Sequence, residues 1–164
     1  LYRQSLQYAH EKQDMMQQRI EENELTLALL QDRENQNLDE IDKKERLIAQ
    51  LKQEKLELRT WTFWQTPIYK KVMSLSEQKE VDKKARKVMT DVEREKLKKT
   101  VFEIYADYIS PLQAQYSQLT EDDLLVLCLQ EAGISPLAIS LCFGHTDTVA
   151  LNQRKSRLKK KMSE

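Results

Sequence analysis

LTEDDLLVLCLQEAGISPLAISLCFGHTDTVALNQRKSRLKKKM, residues 119 to 162, decides how this chain is read. Both glycines of the chain, Gly133 and Gly144, fall inside it, each just past a short apolar segment. Within two residues of each comes a small oxygen-bearing residue, Ser135 or Thr146, able to cap a new helix. Helix, glycine stop and cap, repeated, spell three helices joined by two tight turns. Thr120 with Asp123 makes a shortened capping box for the first helix. The run from Leu124 to Leu129 is too apolar for a surface helix and is expected to be nearly surrounded. Ser135 followed by Pro136 caps and starts the second helix, which carries Leu137, Ile139, Leu141, Cys142 and Phe143. The third helix opens near Thr146 or Asp147 and buries one stripe, Leu151, Leu158 and Met162.

Charge is segregated along the same stretch. The whole chain carries 27 basic and 27 acidic residues and no formal net charge. Yet from Ala150 to Met162 there are six basic residues and no acid, whereas the first helix opens with Glu121, Asp122 and Asp123. The last helix therefore reads as a cationic rod with Asn152 and Gln153 near its start. A lysine-rich helix end is also what the helix dipole and solubility favour, so the charge alone decides nothing. The preceding turn punctuation and the two amides give it meaning.

The segment resembles the LuxR/NarL-type helix-turn-helix output domain of bacterial transcription regulators. The resemblance is carried by Leu119-Thr120-Glu121, the Ala132-Gly133-Ile134-Ser135 turn, Ile139, and Leu151 through Met162, about a quarter of the chain. It implies that the third helix lies in the DNA major groove, with Leu151, Lys155, Leu158 and Met162 turned inward. Lys155 stands where the family places an apolar residue, and the spacing from Ile139 to Leu151 is one residue longer than its pattern. The implied DNA-binding set is Asn152, Gln153, Arg154, Lys155, Arg157, Lys159, Lys160 and Lys161. Lys159, Lys160 and Lys161 with Arg154 or Arg157 would meet phosphates, and Asn152 and Gln153 with Arg154 or Arg157 would reach base edges.

Composition bounds the rest. One third of the 164 residues are charged and only three are proline, so the expected class is all-α: a long N-terminal coiled-coil helix, then a small helical domain ending in the helix-turn-helix. No apolar run approaches the roughly 20 residues that span a bilayer. The chain begins at Leu1 in mid-pattern, which reads as a piece of a longer protein whose membrane span or sensor would lie upstream. Cys128 and Cys142 sit among apolar residues and read as buried free thiols.

Residues 1–60 carry a heptad with position a at Leu6, Ile20, Leu27, Ile41 and Ile48, and position d at Ala9, Met16, Leu30, Leu51 and Leu58. Polar residues interrupt the seam at Asn23, Glu34, Asn37 and Lys44. Because the phase is the same on both sides of residues 34–44 and no glycine or proline intervenes, a continuous rod is expected in preference to a fold-back. A parallel homodimer through Leu6, Met16, Ile20, Leu27, Leu30, Ile41, Ile48, Leu51 and Leu58 follows.

The rod should end near residues 59–65, with Trp61, Phe63 and Trp64 packing at a junction with the head. Thr66-Pro67 caps a new helix, residues 76–89 read as a solvated helix or loose connection, and Thr90 with Glu93 is a full capping box. The stripe Val92, Leu97, Val101, Ile104, Tyr105 and Tyr108 follows, and Ser110-Pro111 starts another short helix. The expected divisions are 1–60 for dimerisation, 61–118 as a helical connector and 119–164 for DNA binding. The arrangement resembles the cytoplasmic tails of bacterial coiled-coil-linked sensor-regulators.

No enzyme constellation appears: there is no phosphate-cradling glycine loop, no HExxH and no CxxC, and the only histidines are His10 and His145. His145 and Cys142 make a poor metal pair without further ligands. The expected function is a cytoplasmic, non-enzymatic, sequence-specific DNA-binding regulator. It would use no cofactor, metal or small-molecule substrate, and its partners would be duplex DNA and a second copy of the chain. The rival is a coiled-coil scaffold whose helical head binds a protein partner.

Overall fold

The computed structural model describes residues 2–31 and 38–163. Eight α-helices account for most of them and no strand occurs among them: α1 (Tyr2–Gln31), α2 (Leu38–Trp64), α3 (Pro67–Ser76), α4 (Asp91–Ile104), α5 (Ala106–Gln115), α6 (Glu121–Glu131), α7 (Pro136–Cys142) and α8 (Val149–Met162). The fold is all-α. None of these helices is long and apolar enough to cross a membrane. They form two compact units, residues 1–62 and 63–164.

The first unit corrects the expectation of a continuous rod. Its two helices pack antiparallel within one chain. Gln13 donates to the Thr62 hydroxyl at 3.2 Å, Asn23 to Glu54 at 2.8 Å, and the Trp61 indole N–H to the Ala9 carbonyl at 3.3 Å. Lys55 meets Glu24 at 3.2 Å, and Lys12 lies over the Trp61 ring at 4.2 Å. In each pair an early residue meets a late one, which a single straight helix forbids. The heptad seam is thereby used in cis: Ala9, Ile20 and Leu51 are buried, Met16, Leu27, Leu30, Ile48 and Leu58 are half-buried, and Leu6 and Ile41 stay exposed. Asn23, read as a weakening polar layer, finds its partner in buried Glu54, which also accepts from Gln50 at 3.0 Å. A matched polar pair inside an apolar seam sets register, because slipping by a turn would leave a buried carboxylate unpaired. Glu34 and Asn37 lie outside the described residues.

The second unit opens on Phe63, fully buried against the edge of the Tyr69 ring at 5.3 Å. Trp64 stacks on the same tyrosine at 6.1 Å and donates its indole N–H to the Ala132 carbonyl at 3.3 Å, satisfying the end of α6. Trp61 belongs instead to the hairpin. Four N-caps form where the sequence placed them: Thr66 accepts from Tyr69 N–H at 3.3 Å, Thr90 and Glu93 complete their box, Thr120 and Asp123 do likewise, and Ser135 accepts from Ala138 N–H at 3.2 Å. Residues 63–118 and 119–164 do not separate into two bodies, because α3 packs on α7 and α4 on α6 around Val72, Leu75, Leu97, Val101, Leu125 and Ile139.

Three local expectations change. Val92 is exposed rather than part of the buried stripe, and α5 opens at Ala106, so Pro111 sits inside it. Residues 77–90 are neither a long helix nor loose. Gln78 bonds the Lys87 carbonyl and amide at 2.8 and 2.7 Å, and Arg86 donates to the carbonyls of Lys79, Val81 and Thr146. Met89, 2% exposed, closes the segment with its amide on the Leu141 carbonyl.

Candidate nucleic-acid interface

Residues 119–162 fold into three helices, and the two glycines make both turns. Gly133 (φ +80°) and Gly144 (φ +84°) adopt the left-handed conformation that L-residues with a Cβ avoid. After α6, Ile134 N–H reaches the Leu129 carbonyl and Gly133 N–H the Gln130 carbonyl, each at 3.0 Å. After α7, His145 N–H reaches the Ser140 carbonyl at 2.9 Å and Gly144 N–H the Leu141 carbonyl at 3.1 Å. Both turns are Schellman closures, which satisfy the orphan carbonyls and fix the exit direction of the chain. The second is braced from outside: Arg94 Nε donates to the Cys142 carbonyl at 2.8 Å, and a Cβ on Gly144 would lie 3.0 Å from Arg94 Nη2.

α8 starts at Val149, slightly later than expected, with Asp147 accepting the Val149 N–H at 3.1 Å. Leu151 and Leu158, each 4% exposed, anchor it, and Lys155 and Met162 lie half-buried on the same side. That is the inward register read from the sequence. Asn152, Gln153, Ser156, Arg157, Lys159 and Lys160 are exposed.

The eight candidate residues divide. Arg154 and Lys161 turn back to Asp123, with Arg154 Nη1 2.8 Å from its Oδ1 and Lys161 Nζ 2.7 Å from its Oδ2. Asp123 is 2% exposed and also accepts the Thr120 N–H at 3.0 Å. Burial acts to raise its carboxyl, but the hydrogen bonds from Lys161, Thr120 N–H and Arg154 prevail and bring it down to about 2. A residue read only as a helix cap is thus the clamp that holds α8 to α6. In the sequence it is the last of three successive acids, Glu121, Asp122 and Asp123, directly before the apolar run, and nothing in that spacing marks it out from its neighbours. Lys155, Arg157, Lys159 and Lys160 have no ion pair among the described residues.

The acids at the start of α6 are met within the unit. Lys98 of α4 lies 3.3 Å from Asp122, 3.5 Å from Glu121 and 3.7 Å from Glu95. Burial lowers the Lys98 ammonium pKa, but Asp122 and its neighbours outweigh that and raise it, so the charge persists. The negative end of the three-helix unit is largely neutralised while the outer face of α8 is not. Cys128 and Cys142 are buried and neither is in a disulfide, and burial pushes the Cys142 thiol up to about 12, against the pull of Arg94. No group of three His, Cys, Asp or Glu side chains able to hold a metal occurs among the described residues. Scanned against protein-family models, curated proteins and solved structures, the chain matches none.

Proposed function

We propose that this chain is a DNA-binding transcriptional regulator that reads duplex DNA with the outer face of α8. The observation that carries the reading is an exposed helical ridge bearing Asn152, Gln153, Arg157, Lys159 and Lys160, with no acid from Val149 to Met162. An α-helix fits the major groove, and the amide side chains of Asn152 and Gln153 can pair bidentately there with adenine. Arg157, Lys159 and Lys160 suit backbone phosphates, which fix position without reading sequence. Arg154 and Lys161, expected at the interface, are assigned to holding the helix in place.

No catalytic group, cofactor or small-molecule substrate enters this reading. One three-helix head makes few contacts, so two copies bound to adjacent half-sites would gain from the effective concentration of the second. The helical hairpin is the unit assigned to join them, through apolar positions left exposed, Leu6 and Ile41 among them. The chain would work in the cytoplasm as the output part of a larger sensor protein.

The test is amide chemical-shift mapping with a short duplex. Shifts concentrated at residues 145–160 are expected. Shifts confined to α3 and α4, or none at concentrations where non-specific binding saturates, would remove α8 as the DNA face. A scaffold protein would ignore duplex and bind a protein partner instead.

A further inference from the structure

A cleft of about 180 Å³ lies between the C-terminal end of α7 and the first two turns of α8. Phe143 is its aromatic lining, and Ser140, His145, Gln153, Arg154 and Arg157 are its polar lining. Every polar side chain but Ser140 brings N–H donors, and no carboxylate lines the space. The Ser140 hydroxyl is already committed, donating to the Pro136 carbonyl at 2.9 Å. Arg154 is held before any ligand arrives: Asp123 fixes Nη1 at 2.8 Å, and the guanidinium carbon lies 5.8 Å from the Phe143 ring centroid. Arg157 and His145 are exposed.

Size narrows the occupant. Pockets for drug-sized ligands run from about 300 to 1,000 Å³, so this cleft is too small for such a molecule. A water takes about 30 Å³ of liquid, which makes the cleft room for one tetrahedral anion and a few waters. Guanidinium forks match the oxygens of such an anion geometrically, and a pre-positioned fork loses less freedom on binding.

We propose that this cleft is a phosphoryl-binding seat, with Arg154 as its fixed donor, Arg157 as the arm that closes on the ligand, and His145 and Gln153 as further donors. The phosphoryl group has two possible sources, a DNA backbone phosphate or a free phosphate. The first deepens the DNA reading and rests on it; the second does not.

The experiment has two arms, each run on the full chain and on Arg157→Ala, whose changed side chain is exposed. In one arm inorganic phosphate is titrated at constant ionic strength against chloride, following the amide of His145 and the side-chain amide of Gln153 by NMR. Saturable shifts are expected, weakened roughly tenfold or more by the substitution, as removal of a charge-assisted pair should do. In the other arm duplex affinity is measured across salt. The substitution should lower the slope of log affinity against log salt by about 1. Duplex binding with the lowered slope but no response to phosphate assigns the seat to the DNA backbone. A saturable phosphate response without duplex binding keeps the seat for a free phosphoryl ligand and refutes the DNA reading. Duplex binding with an unchanged slope and no phosphate response overturns the seat and leaves the DNA reading standing. Silence in both arms overturns both.

Discussion

Asp123→Asn isolates the charge of the clamp. The amide has nearly the shape of the carboxylate and can still accept the Thr120 N–H, so the cap survives while the pairs to Arg154 and Lys161 lose their charge. The Asp123 carboxyl falls from 3.8 to about 2 in the folded chain. At 1.36 kcal/mol per pKa unit that difference amounts to about 2 kcal/mol of folding stability. Asp123 is 2% exposed, so solvent screening removes little of this. Breaking a fully buried pair costs more, typically 3–5 kcal/mol, because the abandoned charge is trapped. Here both cations lie at the surface edge, 26% exposed, and can turn to water, which favours the smaller figure. The sign follows from a folded pKa below the unfolded one. The stabilisation is complete above about pH 4 and disappears as pH falls towards 2. Urea unfolding followed by far-UV circular dichroism should show the variant about 2 kcal/mol less stable at pH 7 and equal to the parent near pH 2. A variant as stable as the parent at pH 7, or a deficit unchanged at pH 2, would refute the clamp.

Two further outcomes test the rest. Gln13→Cys with Thr62→Cys, bridged by a short bismaleimide, should give a crosslink within one chain, because the parent side chains lie 3.2 Å apart; a ladder of crosslinked dimers at low protein concentration would restore the parallel rod. Cys128 and Cys142 should resist a thiol reagent at pH 8 in the native protein and react together on unfolding, since both are buried and the Cys142 thiol is raised to about 12; rapid native labelling would show that the core around α7 is open.

What could be read from the sequence was local. Thr66, Thr90, Thr120 and Ser135 announce their helices within four residues, and Gly133 and Gly144 announce the turns, because a cap or a left-handed residue acts on its immediate neighbours. The inward stripe of α8 was legible for the same reason. The fold-back of residues 1–60 was not. A heptad pattern marks which face is buried but not the direction of the helix opposite, and the deciding pair, Asn23 with Glu54, joins residues 31 apart. The ties of Arg86 and Arg94 to the α7–α8 turn, and the turning of Arg154 and Lys161 onto Asp123, are likewise long-range. A guanidinium bonding a distant carbonyl leaves no mark in the spacing of residues, so cations that hold the fold look the same in sequence as cations that face a partner.

The salt dependence of duplex binding tests the central claim most directly. Each phosphate neutralised contributes about −0.9 to the slope of log affinity against log salt. The parent chain should bind duplex with a slope of roughly −3 per head or steeper, on the contacts assigned to Arg157, Lys159 and Lys160. Replacing these three by alanine should flatten the slope by about 3 and abolish measurable binding near physiological salt. A parent slope near zero, or one that the triple substitution leaves unchanged, would contradict the account.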